Sequence, residues 1–284
     1  MEAHPGAWQG GGKIAVSLRP LLPGRFLDAR PQSAAEALPI AAAVNIPADE
    51  LPQRTHELPP RERTVAIADT GPAAEAAAWL QSNGRRAELR SDWNYAGSVG
   101  EQCVRRLWEP AAFLAEVVAR LAPGRVLDLA CGSGRDAVFL AAGGWSVSAV
   151  DRLPDALGLA RDLEDRCKGA IARPIQWVRG DLETPDIGLR PPFELSGGFD
   201  LIVIIRFLHR PLMRRVADWL RPGGSVVCET FTTLHRARHG KPAGTEHVLR
   251  PGELPALLGG LEITRFDEGW RGEIHTARVW ATRY

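Results

Sequence analysis

Between Leu127 and Asp151 the chain reads LDLACGSGRDAVFLAAGGWSVSAVD, with one carboxylate before two closely spaced glycines and another well after them. Gly132 and Gly134 lack a Cβ, so the backbone there can take positive φ and approach a ligand closely. Amides that open the following helix point into the same space. A turn of this kind can hold NAD, a phosphate or S-adenosylmethionine, or it can simply pack a strand against a helix. GSGRDA also satisfies the dinucleotide pattern G-x-G-x-x-G/A. Asp128 discriminates, because a carboxylate ahead of the glycines repels a pyrophosphate and attracts a cationic sulfonium or ammonium. Asp151 ends the next apolar run, where a carboxylate can accept both ribose hydroxyls of an adenosine. Asp181, in RGDLETP, ends the run after that and can take an adenine amino group.

A second set of reactive residues follows. IRFLHRP gathers Arg206, His209 and Arg210, and CETF carries Glu229. An arginine can grip an anion in bidentate fashion, and a histidine can accept a proton. Arg206, His209, Arg210 and Glu229 are therefore the candidate catalytic residues, although a solvated arginine or a capping histidine fits the same positions. TTLHRARHGKPAGTEH adds His235, Arg236, Arg238, His239, Lys241 and His247, a composition that suits either a mobile lid over an anionic acceptor or a solvated surface loop. His275 is a further candidate from the tail. No HxH or HExxH spacing occurs, so no metal site is expected.

These residues need elements to position them. RVLDLA, SVSAVD, IQWVRG, FDLIVII and SVVCETF are near-continuous apolar runs, separated by the helical patterns GRDAVFLAAGG, LPDALGLARDLEDRC and RPLMRRVADWL. That alternation predicts a doubly wound, mostly parallel sheet covered on both faces. LEITRFDEGW and HTARVWATRY are joined by a short turn, which predicts an antiparallel hairpin at the C-terminal edge and brings the sheet to seven strands. VRRLWEPAAFLAEVVARLAPG is expected to be helical, behind a linker at NYAGSVGEQ. Upstream, RFLDARP and RTVAIAD suit buried strands and PAAEAAAWLQSNG a helix opened by Pro72 and closed at Asn83-Gly84. The expected division is a loosely ordered lead-in over 1–24, a small α/β unit over 25–95 and a larger α/β domain over 96–284.

VLDLACGSGRDAVFLA, VSAVDR, GDLE, FDLIVIIRFLH and LRPGGSVVCETF, in this order, resemble the class I S-adenosylmethionine-dependent methyltransferases over roughly residues 99–284. The resemblance implies a cofactor site of Asp128, Ala130, Gly132, Ser133, Gly134, Asp151, Arg152, Asp181, Leu182 and Arg206. The tail looks most like the tellurite-resistance and thiol-type small-molecule branch. FLDARP, AAAVNIPADEL and VAIADTGPAAEAAAWLQSNG resemble a rhodanese-like domain over about 25–93. In that family the loop after the central strand carries a sulfur-bearing cysteine; here Asp69 or Thr70 stands in its place, so no sulfurtransferase activity is expected.

Composition bounds the rest. A formal charge of +1 over 284 residues gives no basic field that implies nucleic acid. Cys103, Cys131, Cys167 and Cys228 are scattered and read as reduced thiols of a cytoplasmic protein. Neither a secretory signal nor a membrane span is expected. The expected function is methyl transfer from S-adenosylmethionine to a small-molecule acceptor, a thiol or chalcogen anion, by in-line displacement. An RNA (tRNA) methyltransferase and a non-catalytic cofactor sensor remain the alternatives. Oligomeric state is not encoded in these motifs.

Overall fold

Runs of apolar residues with few charges become strands where both faces of a sheet are covered. The computed structural model of the chain describes residues 18–97, 102–184 and 198–284. Strand β1 (Leu21–Pro23) leads into a four-stranded sheet of β2 (Phe26–Asp28), β3 (Ala43–Asn45), β4 (Val65–Ala68) and β5 (Ala87–Arg90), all parallel, in the order β3-β2-β4-β5. Helix α1 (Gln32–Ala37) follows β2, and α2 (Ala73–Ser82) lies between β4 and β5. Ala73, Ala76, Ala77 and Leu80 give α2 one buried stripe at helical spacing, packed on Leu27, Ile46 and Ile67.

VRRLWEP does not begin a helix. Val104–Arg106 form β6, parallel to β1, and the helix α3 is confined to Ala112–Val118. Pro110 disfavours helical backbone at the residue before it, which separates the two elements. Pairing with β6 also gives residues 21–23 of the expected lead-in a regular strand. Residues 1–17 and, in the expected linker, 98–101 lie outside the described residues.

The larger sheet contains β7 (Arg125–Leu129), β8 (Ser146–Asp151), β9 (Gln176–Arg179), β10 (Phe199–Ile205), β11 (Leu220–Phe231), β12 (Glu262–Arg271) and β13 (Ile274–Thr282). Its order is β12-β13-β11-β10-β7-β8-β9. Strands β7 to β11 run parallel, and β13 is antiparallel to both β11 and β12, as the alternation and the short C-terminal turn predict. Side chains alternate between two cores. Val126, Leu201 and Val203 pack with α3, α4 (Arg135–Ala142) and α5 (Pro154–Cys167). Leu127, Leu129, Ile202 and Ile204 pack with α6 (Arg210–Met213) and α7 (Val216–Trp219) on the other face. RPLMRRVADWL is thus two short helices, broken where the Arg215 amide donates to the Leu212 carbonyl at 2.9 Å.

TTLHRARH, expected as loop, is helix α8 (Thr233–His239). The Thr232 hydroxyl accepts from the Leu234 amide at its start, and Gly240 closes it in the left-handed conformation. A last helix, α9 (Glu253–Leu257), precedes the C-terminal hairpin and packs its Leu254 and Leu257 into the second core. Strand order reverses between β7 and β10, and the crevice at such a reversal, at the carboxyl ends of the strands, is where open α/β sheets hold ligands.

Candidate cofactor and acceptor site

At the end of β7 the chain turns through Ala130–Gly134 into α4. Ala130, Gly132 and Gly134 adopt φ of 60°, 54° and 78°. The two glycines share this left-handed backbone but differ in their surroundings. A Cβ at Gly132 would meet nothing within 4 Å, so only its backbone conformation demands glycine. At Gly134 a Cβ would lie 2.7 Å from both Ala160 Cβ and Trp177 Cη2, so glycine there lets α4 begin directly against α5 and β9. The Gly132 amide donates to Asp151 Oδ2 at 2.8 Å, and the Leu153 amide to Asp151 Oδ1 at 2.9 Å. Each oxygen of Asp151 keeps a second lone pair, enough for a vicinal diol.

Asp128 sits one residue before the end of β7, 2% exposed, and its Oδ2 has no hydrogen-bond partner. Burial, reinforced by the nearby carboxylates of Asp136 and Asp151, holds its carboxyl well above the usual carboxylate range. A buried polar atom without a partner is costly and calls for a complement.

A cavity of about 280 Å³ opens at the carboxyl ends of these strands, lined by Ala130, Asp151, Asp181, Leu182, Arg206 and Phe231 among others. Asp181 Oδ1 accepts the Glu183 amide at 3.0 Å, while Leu182 is buried beside it. Arg152 also lines the cavity and pairs with Glu183 at 3.3 Å. Asp128, Gly132, Ser133 and Gly134 belong to the strand end and turn beside the cavity and do not line it.

The four candidate catalytic residues separate. Arg206 leaves β10 with φ of 57°, donates its amide to the Glu229 carbonyl at 2.7 Å, and carries its guanidinium 5.9 Å from the Phe231 ring centroid. A non-glycine residue held in the left-handed region stores strain, as residues at working sites often do. It lines the cavity. The Glu229 carboxylate accepts from the Thr276 hydroxyl at 2.8 Å and stands off the wall. His209 precedes α6, with its Nδ1 buried and unpartnered. Arg210 is a latch: its guanidinium bonds Glu253 at 2.7 and 2.8 Å and the carbonyls of Glu246 and Val248 at 2.7 and 3.0 Å. It ties the chain before α9 to α6 and lies outside the cavity lining.

The histidines of the tail form a ring stack behind Phe231. Phe231 and His235 stack at 4.4 Å, His235 and His239 lie 4.6 Å apart, and Trp270 meets His275 edge-on at 4.9 Å. His275 Nδ1 bonds Thr232 Oγ1 at 2.8 Å, so this ring braces the start of α8. Arg236 bonds the Ala243 carbonyl and Arg238 pairs with Glu273, both away from the lining. Pro242 and His247, from the segment after α8, reach the cavity. Sequence reading missed Leu153, Phe207 and Phe231 as lining residues; each is apolar and adjoins a residue or motif singled out for its polarity.

A family model described as Methyltransferase domain matches residues 105–257. The uncharacterized protein UNK4.09 of Schizosaccharomyces pombe is 27% identical, over 82% of this chain and 84% of its own length. A ubiquinone biosynthesis O-methyltransferase of Xanthomonas campestris pv. campestris is 29% identical, over 55% of this chain and 72% of its own. Among solved structures, TehB from Haemophilus influenzae superposes with a TM-score of 0.48 at 17% identity, covering 60% of this chain and 61% of that one. This chain therefore spans less than two thirds of TehB. The N-methyltransferase NodS from Bradyrhizobium japonicum superposes with a TM-score of 0.46 at 20% identity, over 60% and 92%.

Proposed function

This chain belongs to the Methyltransferase domain family, with S-adenosylmethionine as its cofactor, and we propose that it methylates a small molecule, a thiol or a chalcogen anion. The observation that carries this reading is the cavity of about 280 Å³ at the strand ends, whose wall pairs the apolar Phe207 and Phe231 with the guanidinium of Arg206. The name of the Xanthomonas relative, an O-methyltransferase of ubiquinone biosynthesis, supports a small-molecule acceptor.

When bound, S-adenosylmethionine supplies a methyl carbon activated by its sulfonium. In our reading Asp128 and the turn amides hold the methionine end, Asp151 holds the ribose, and Asp181 with Leu182 flanks the adenine. Arg206 draws an anionic acceptor against Phe231 and orients it, and orientation alone accounts for much of the acceleration of such a displacement. A thiolate or chalcogen oxyanion brings its own lone pair and needs no base. For a protonated acceptor, Glu229 and His209 are the groups we assign to take a proton.

We read the four-stranded unit as rhodanese-like and without sulfur transfer, since β4 runs into Asp69 and Thr70 and neither forms a persulfide. The free cysteines among the described residues accord with a cytoplasmic setting. Among the described residues no helix is long and apolar enough to cross a membrane. The test is transfer of labelled methyl from S-adenosylmethionine to a panel of thiols, tellurite, selenite and bulk tRNA. Label in a thiol or chalcogen product is expected. Label chiefly in RNA overturns the small-molecule reading.

A further inference from the structure

A second cleft, of about 380 Å³, lies between the two sheets, and no residue of its lining is shared with the cofactor cavity. Among the described residues, Arg19, Arg54, Arg106 and Arg166 line it, with a single lining carboxylate, Glu57. Glu57 is already engaged. Arg54 holds it through Nε at 2.6 Å and Nη2 at 2.8 Å, and Arg166 reaches it from α5 at 3.0 Å. Arg106 differs from these two. Among the described residues it makes no ion pair, donates to the Trp108 carbonyl, and has a buried Nε with no partner. Glu109, the carboxylate whose charge it feels, pairs with Arg63 at 3.2 Å. Its guanidinium lies 5.1 Å from the Trp108 ring centroid and 5.8 Å from that of Phe139. Burial makes its charge costly, and an arginine in that state does not deprotonate but takes a counterion. Ile40, Val44 and Leu163 supply an apolar wall to the same cleft.

We propose that this cleft binds a multivalent oxyanion, a phosphate or polycarboxylate group whose oxygens pair with Arg106 and its neighbours while any apolar body rests on Ile40, Val44 and Leu163. The excess of arginine over carboxylate makes the cleft an attractor for anions, and planar guanidinium forks match oxyanion geometry. The inference is independent of the methyl-transfer reading, since it rests on a different cavity.

Calorimetric titration of the full chain with inorganic pyrophosphate and, separately, with citrate tests it, at low and high salt. One saturable site for either anion is expected, weakened by salt. Arg106→Gln and Arg166→Gln should each weaken it by about tenfold or more, the loss of one charge-assisted contact. Arg19→Gln, at an exposed position, is a further variant that leaves the buried contacts intact, and binding of S-adenosylhomocysteine checks the fold of all three. Absence of saturable binding for both anions overturns the proposal. So does binding that none of the three substitutions changes, because the anion then sits elsewhere.

Discussion

Asp128 and Asp151 are both buried carboxyls on adjacent parallel strands, yet their surroundings assign them different work. Asp151 receives two backbone amides, whereas Asp128 Oδ2 receives nothing and lies among other acids. Because the folded-state pKa of Asp128 is raised above its unfolded value, its contribution to stability is present at low pH and is lost as pH rises through the folded value. A cationic ligand prefers the ionised form. Affinity for S-adenosylmethionine should therefore climb with pH between the ordinary carboxylate range and that raised value, with a proton released on binding. Asp128→Asn should flatten the climb, weaken binding roughly tenfold or more, and raise the melting temperature of the ligand-free protein at neutral pH. Calorimetry across pH and thermal melts check this; an affinity independent of pH in the parent chain contradicts it. Arg206 offers the opposite trade. Arg206→Gly should relieve left-handed strain of about 1 kcal/mol while lowering kcat/KM by about tenfold or more for an anionic acceptor. Turnover equal to the parent's would remove Arg206 from the acceptor site.

The glycines of the turn act at the scale of elements. Gly134→Ala should destabilise the fold by about 1–3 kcal/mol through the clash with α5 and β9. Gly132→Ala should cost only about 1 kcal/mol of backbone strain. Urea denaturation of the two variants measures the difference, and equal costs would contradict the division of labour. This division is invisible in GSG as a string, because Ala160 and Trp177 come from elements far along the chain. The parallel strands, by contrast, are legible because each needs a continuous apolar run to be buried on both faces, and Asp128, Asp151 and Asp181 are legible because they end or nearly end such runs. Strands β1 and β6 are too short to show a period and exist only by pairing across some eighty positions. Helix α8 was hidden by its basic composition, since the cap at Thr232 and the stack of His235 on Phe231 stabilise it rather than an apolar stripe. Arg210 read as reactive because its partner, Glu253, lies on a helix that nothing in IRFLHRP announces.

At the scale of the whole molecule the two sheets meet through charge. Glu57 lies between Arg54 and Arg166, and the neighbouring His56 carbonyl accepts from Arg135 Nε at 2.7 Å, one residue past Gly134. The four-stranded unit therefore touches the helix that opens behind the cofactor turn. Glu57→Ala leaves the buried Arg54 with Glu50 and the Asn45 carbonyl and should cost about 1–3 kcal/mol, read by denaturation of the full chain; a loss below about 1 kcal/mol would mean the contact is only a surface pair. The central assignment, an adenosyl cofactor held by Asp151 at the crevice between β7 and β10, is tested most directly by calorimetric titration with S-adenosylmethionine and with NAD. The parent chain should bind S-adenosylmethionine at one site and NAD not at all, and Asp151→Ala should lose about tenfold or more in affinity. Binding of NAD alone, or an Asp151→Ala chain that binds S-adenosylmethionine as tightly as the parent, would contradict it.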